Sequence, residues 1–516
     1  MIIKLVLAAH DALKLRHLKV SGKKRGQCQV VTCLRGTSTP SLLAFAQHTR
    51  AVMGALYVFA KDILSIQTNH YLYPSYPFLQ MKCQPFIILI ALILSISSRL
   101  NAQSLSDTVS REDKLYALST IWKETDYNFV FFNSQPHLNW DSLYIAYIPK
   151  ILATKNLYGY ISVLSNFMKT LKDGHTSLML NQFYWNQTDV PPVNYSTTNG
   201  KRYVIAVEEQ LKDRIPIGAE IIRLNGKTWN DYLNGPDPEN NDWRGLTNST
   251  LELTLLSKDN KESKVLVTRN LNTLYRAKKL VMVPGGLVTP HPDFDYKSLS
   301  AKVAYVDLRT FEDSSVVTDF KKNLPDIRKH KALIVDVRNN GGGNDDYAIQ
   351  IAEYLTDQPF IVGPMWKTRV NNGAQKAWAA QGDTSLADYL HRNVWEKHPA
   401  DTIRIAQSIQ RLNMPVYILT SRRTFSAAED FLIYLNYSKN VTRIGQATAG
   451  SSGQPLVFNL PHGISARVCA KADEFPDGTD FINIGIKPQV AVESSISDEK
   501  DVELNKALEM IPKNKD

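Results

Sequence analysis

The chain reads as an α/β protein with a mostly parallel sheet. The main observation is that short apolar runs rich in β-branched residues (Val303–Leu308, Ala332–Val337, Val416–Thr420, Val441–Gly445) alternate with helical patterns (Val316–Arg328, Tyr347–Leu355, Ala427–Tyr437). Ahead of that alternation stand two segments of different character. Residues 110–172 are patterned as helices, and residues 203–268 as short strands.

The composition is that of an ordinary globular chain, 43% apolar and 21% charged over 516 residues, long enough for two or three domains. The formal charge of +10 is unevenly placed. Residues 1–80 hold ten Lys/Arg and two Asp/Glu, and residues 81–102 add Lys82 and Arg99, so residues 103–516 keep 48 of each sign. A balanced body excludes a basic-patch argument for nucleic acid. Met81-Lys82, the apolar run Pro85–Ser97 and Leu100-Asn101-Ala102 form a secretory signal pattern. The run is too short for a comfortable membrane span. A signal belongs at a chain start, so translation is expected to begin at Met81, with residues 1–80 an upstream extension. Cys28, Cys33 and Cys83 then precede cleavage and leave Cys469 alone, which rules out an intrachain disulfide or a cysteine metal site in the mature chain.

Helical spacing marks Leu115–Trp122, Leu143–Leu152 and Tyr158–Leu171. The last runs into Asp173-Gly174-His175-Thr176, where Gly174 suggests a C-cap turn and His175 falls on a loop. The phrase Ile217–Lys227, with its Asn225-Gly226 turn, looks like the strand–turn segment of a PDZ domain. Gly226-Lys227-Thr228 is not a phosphate-binding loop, because Ile221 stands where that motif needs glycine. Pro284–Pro292 is the best linker, and residues 363–405, with Trp366, Trp378, Tyr389 and Trp395, look like an insertion.

Ser426 falls where a strand turns into a helix. Free N–H groups and the positive end of the helix dipole gather there, so the serine is either a nucleophile or a helix cap. Asp336–Gly343 follows a buried strand with three glycines, open to close backbone approach by a ligand or to a plain turn. Together with Thr424-Phe425-Ser426-Ala427-Ala428-Glu429, Gly445–Gly450 and Gly485-Ile486-Lys487-Pro488, these stretches resemble the C-terminal processing (tail-specific) serine peptidases, a family that includes tricorn. The resemblance covers roughly His175 to Val492. It implies a crotonase-like α/β core, Ser426 as nucleophile, and an oxyanion hole from the N–H groups of Gly342 and Ala427. The implied organisation is an extension (1–80), signal peptide (81–102), N-terminal helical segment (103–185), PDZ-like domain (186–282) and peptidase core (283–516).

The better-known branch places a lysine base where this chain has Ser451. The resemblance to the tricorn branch points instead to His175, whose neutral imidazole accepts a proton near pH 6.5 and above. That branch also has an acid near the Gly-x-x-Pro motif, where this chain has none in place; Glu429, Ser451 and Asp480 are the candidates for orienting His175. The resemblance implies peptides or unfolded protein tails as substrates, cleaved without cofactor or metal in an exported location. The competing reading is a binding protein on the same fold, inactive in catalysis, holding peptide or a small apolar ligand. No His-Glu-x-x-His and no Gly-x-Ser-x-Gly occurs in the chain. The mature N-terminus is expected at Gln103. Intact mass of the exported natural protein checks this, and any mass that includes residues 1–80 defeats it.

Overall fold

Three helices open the described part of the chain: α1 (Arg111–Asn128), α2 (Trp140–Leu152) and α3 (Leu157–Lys169). Each begins behind a side-chain cap, with Ser110, Asn139 and Asn156 accepting from backbone N–H groups of the first turn. The computed structural model describes residues 104–198, 200–233, 243–276, 292–493 and 501–512. The expected extension 1–80, the signal segment 81–102 and the linker from Pro284 to residue 291 lie outside these. No helix among the described residues is long and apolar enough to cross a membrane.

Helix α3 buries Tyr160, Ile161, Leu164 and Phe167, and Trp140 stacks on Phe167 with ring centroids 4.4 Å apart. The turn beyond it differs from expectation. The left-handed residue is Lys172 (φ 49°), while Gly174 is needed for a different reason described below. The chain then enters β1 (Ser177–Met179).

Residues 193–268 form an antiparallel sheet in the order β2 (Val193–Thr198), β3 (Lys201–Val207), β4 (Glu220–Leu224), β5 (Thr250–Leu256), β6 (Glu262–Thr268). Alternate residues such as Leu251, Leu253, Val265 and Val267 fill an apolar cluster of its own. Asn225 and Gly226 both have positive φ (49° and 76°), the twist a two-residue hairpin requires, and Lys227 pairs back onto Leu224.

The remaining chain supplies β7 (Phe294–Ser300), β8 (Val303–Leu308), α4 (Ser315–Ile327), β9 (Ala332–Asp336), α5 (Asp345–Leu355), β10 (Met365–Arg369) and β11 (Trp395–His398). It continues through β12 (Val416–Thr420), α6 (Ala427–Tyr434), β13 (Val441–Gly445), β14 (Pro455–Asn459), β15 (Ser465–Cys469), β16 (Ala472–Glu474), β17 (Val490–Ala491) and α7 (Val502–Met510). The central sheet runs β7-β8-β9-β12-β13-β17, parallel throughout except for the antiparallel edge β7. This is the expected α/β architecture. Both faces are covered. Ala304, Val306, Leu333, Val335, Val416 and Ile418 join the large core with the N-terminal helices and α4–α6, while Tyr305, Ile334, Tyr417 and Leu419 pack against Ala507 and Ile511 in and just after α7. Burial on both faces explains why these strands read as continuous apolar runs.

Helix α6 stops at Tyr434, short of Tyr437, because its last turn tightens into an Asn436 N–H bond to the Ile433 carbonyl. Its Phe431 is fully buried against Phe311. Phe431→Ala is expected to lower stability by about 3–5 kcal/mol, read as a shift of the urea midpoint with an unchanged slope.

Candidate active site

In an open parallel sheet, functional groups gather beyond the carboxyl ends of the strands. Three such ends meet here. The loop after β9 carries Asn340–Gly343, the loop after β12 carries Ser426, and the loop after β13 carries Thr448–Ser452. Side chains and backbone stitch them together. Thr424 Oγ1 donates to the Val337 carbonyl (2.8 Å), Phe425 N–H to the Asn340 carbonyl (3.1 Å) and Ala449 N–H to the Thr424 carbonyl (3.0 Å).

Ser426 sits just ahead of α6 with φ 57° and ψ −129°, a strained conformation for a residue with a side chain. Its N–H is shared between the Ser451 carbonyl (3.1 Å) and Glu429 Oε2 (3.2 Å). Its Oγ lies 2.9 Å from His175 Nε2. On the far side of the ring, His175 Nδ1 lies 2.9 Å from Ser451 Oγ, and Ser451 Oγ is 3.5 Å from Asp173 Oδ1. The four side chains form one file, serine–imidazole–serine–carboxylate. Asp173 is held in turn by Thr176 Oγ1 at 2.6 Å.

The imidazole is clamped and dry. Phe425 stacks on it with centroids 4.6 Å apart and planes 14° apart, and only 4% of His175 is exposed. Gly174 permits this approach, since a Cβ there would stand 2.6 Å from the Phe425 ring and 3.0 Å from Ser451 Oγ. Burial, and then the charges of Arg467 and Lys471, push the His175 pKa down to about 4. The ring is therefore neutral at physiological pH, and with the Ser451 hydroxyl directed at Asp173 the contacts fit the tautomer that carries its proton on Nδ1, leaving Nε2 as the acceptor toward Ser426. Burial raises the carboxyl of Asp173, against the pull of Thr176, the His175 backbone and Arg467.

On the other side of Ser426 stands Gly342, where a Cβ would fall 2.7 Å from the Ser426 Cβ and 2.8 Å from the Phe425 carbonyl. Its N–H donates to Oδ1 of the fully buried Asn340 (2.9 Å), whose Nδ2 donates to the Leu308 carbonyl. The Ala427 N–H, in the first turn of α6, has no acceptor among the described residues.

The profile of peptidase family S41 matches residues 302–492. The chain carries a peptidase family S41 domain. It is 26% identical over 280 residues to a carboxyl-terminal-processing protease of Picosynechococcus, an alignment covering 52% of this chain and 56% of that one. It is 24% identical over 197 residues to a chloroplastic C-terminal processing peptidase of Tetradesmus obliquus, covering 38% and 36%. The chain thus spans between about a third and just over half of the curated relatives' length. Among solved structures, mature CPAF superposes with a TM-score of 0.54 at 14% identity, covering 78% of this chain and 96% of that one, a likeness of fold.

The S41 domain supplies Ser426, Gly342, Ala427, Glu429 and Ser451, and the N-terminal segment supplies His175. Of the three orienting candidates, Ser451 touches the imidazole. Glu429 turns the other way, accepting from the N–H groups of Ser426, Gly450 and Ser451 and from Thr448 Oγ1. Asp480 is exposed and accepts from Ile482 N–H within its own turn (2.8 Å), with no hydrogen bond to His175 among the described residues. The Gly342 N–H, expected to face a substrate, is occupied by Asn340. Asp173, Phe425 and Asn340 escaped notice as site residues, although each stands within two residues of His175, Ser426 or Gly342. Side-chain direction is what the sequence pattern lacks.

A pH dependence follows. Between pH 6.5 and about 4 the unfolded chain protonates this histidine while the folded chain does not, so stability falls as pH falls through that window. His175→Gln is expected to recover up to about 3 kcal/mol at pH 4 relative to pH 7, measured as the difference in urea midpoints at the two pH values. Parallel curves for the two proteins would contradict a buried neutral ring.

Proposed function

We propose that this protein is an exported serine peptidase that hydrolyses peptide bonds in peptides or unfolded protein tails. The observation that carries the reading is the 2.9 Å contact of His175 Nε2 with Ser426 Oγ at a strained strand-to-helix turn. In this reading residues 81–102 are the export signal, residues 186–282 a PDZ-like peptide-binding insert, and residues 283–516 a crotonase-like core.

Ser426 Oγ attacks the scissile carbonyl carbon as its proton passes to His175 Nε2. The tetrahedral oxyanion is held by the Ala427 N–H, joined by the Gly342 N–H once the Asn340 side chain releases it. Collapse breaks the C–N bond, and His175 hands its proton to the departing amine. Water then repeats the sequence on the acyl-enzyme, giving the carboxylate and free Ser426. Ser451 orients the ring by accepting from Nδ1–H, and Asp173 stabilises the imidazolium through the Ser451 hydroxyl. That support matters because burial, Arg467 and Lys471 all disfavour the charged ring.

The low basicity of His175 and the occupied Gly342 N–H favour one other reading, a ligand-binding protein on the same fold. Labelling of Ser426 by a fluorophosphonate separates the two, since an unreactive serine in folded protein would sink the peptidase assignment. For the peptidase, Ser426→Ala abolishes turnover of an unstructured peptide. His175→Ala removes about 10²–10⁴ of the rate, the usual size of a general-base contribution. Ser451→Ala costs less than His175→Ala. The acid limb of kcat/KM has its midpoint near pH 4 rather than near the ordinary imidazole value of 6.5, because only the neutral ring accepts a proton. Full activity in His175→Ala would leave Ser426 needing another base.

A further inference from the structure

The loop that touches His175 does not stop at the site. From Ser451 it runs through Ser452, Gly453 and Gln454 directly into β14, the edge of a three-stranded sheet in the order β1-β15-β14. The two bonds flanking this hairpin fix its ladder. Ala470 N–H donates to the Gln454 carbonyl and Leu460 N–H to the Ile464 carbonyl, in register with the pairs Leu456↔Val468 and Phe458↔Ala466. In an antiparallel pair, bonded and non-bonded positions alternate. Leu456 and Phe458 therefore spend their backbone groups on β15, while the N–H and C=O of Val457 and Asn459 point to the open edge. Among the described residues nothing pairs with that edge.

Exposed edges are normally blunted by charge, bulges or cover. This one has Pro455 at its start and otherwise no protection. Pro455–Asn459 carries no charged side chain, its pairing with β15 is regular, Leu456 is 39% exposed and Val457 is 50% exposed. Resting on the peptidase reading, we propose that β14 is the docking rail for the substrate, an extended segment of unfolded polypeptide that adds to the sheet beside Val457 and Asn459. Addition of a strand to an exposed edge gives affinity through main-chain bonds and little dependence on side-chain sequence, which suits a substrate defined by being unfolded. Val457 lies six residues past Ser451, so it stands within about 22 Å of the site loop even at full extension, a span that about six extended substrate residues cover.

The direct test is Val457→Pro. Proline deletes the outward N–H but no bond to β15, and proline is tolerated on edge strands. Val457→Ala is the control that keeps the backbone. On an unstructured 20-residue peptide, Val457→Pro should lose at least about tenfold in kcat/KM and Val457→Ala less than about threefold, with fluorophosphonate labelling of Ser426 unchanged in both. Native-rate cleavage of the long peptide by a labelled Val457→Pro overturns the rail and leaves the peptidase reading standing. Absence of labelling in the native protein overturns the peptidase reading itself. If Val457→Pro fails to fold, N-methyl groups placed singly along the peptide answer with the native protein: loss at every second position supports strand addition, and even tolerance overturns it. A drop in sedimentation mass of Val457→Pro at native cleavage rate would show that a second copy of the chain covers this edge, which also overturns the proposal.

Discussion

A single buried carboxylate holds the site in shape. Glu429 is fully buried in the first turn of α6 and accepts from four donors: the N–H groups of Ser426, Gly450 and Ser451, and the Thr448 hydroxyl. Thr448 Oγ1 itself accepts from Ile486 N–H (2.7 Å), which ties the same loop to the chain ahead of β17 as well as to α6. Burial pushes the Glu429 carboxyl upward while the four donors pull it down. A buried carboxyl left without hydrogen-bond partners is strongly unfavourable, so the loop from Thr448 to Ser451 has little freedom to depart from α6. Because that loop also presents Ser451 to His175 and its carbonyl to Ser426 N–H, the placing of Ser426 Oγ against His175 depends on Glu429 without Glu429 touching either atom.

The imidazole is placed by a different device. β1 follows His175 within two residues and pairs with β15, and Thr176 Oγ1 accepts from Cys469 N–H (3.0 Å). β15 pairs in turn with β14, which grows out of the Ser451 loop. One small sheet therefore links the histidine and the serine in contact with it, although they are 276 residues apart in sequence. Rigidity at this sheet and at Glu429 fixes Ser426, His175 and Ser451 relative to each other. The electrostatic consequence is that the buried pocket keeps the ring neutral and disfavours its protonated form. Arg467 strengthens that penalty. It bridges Ser177 Oγ and the Gly174 carbonyl, and so stands beside the loop carrying both His175 and Asp173.

What the sequence determined was the four inner strands of the central sheet and the residues that follow them. Val303–Leu308, Val416–Thr420 and Val441–Gly445 appear with the expected bounds because strands buried on both faces must be apolar along their whole length. Parallel order then brings Gly342, Ser426 and Ser451 to the same end of the sheet, and their motifs were legible through the resemblance to the C-terminal processing peptidases. The short strands β10, β11, β14, β15 and β16 were not, since their side chains answer to neighbours distant in the chain rather than to a local period. Only the tertiary structure decided which way the polar side chains turn. Glu429 faces the loop behind Ser426, Ser451 faces the ring, Asp480 faces away, and Asn340 takes the Gly342 N–H. Each of those choices depends on which donor or acceptor the folded chain brings within about 3 Å, a distance that spacing along a sequence does not contain.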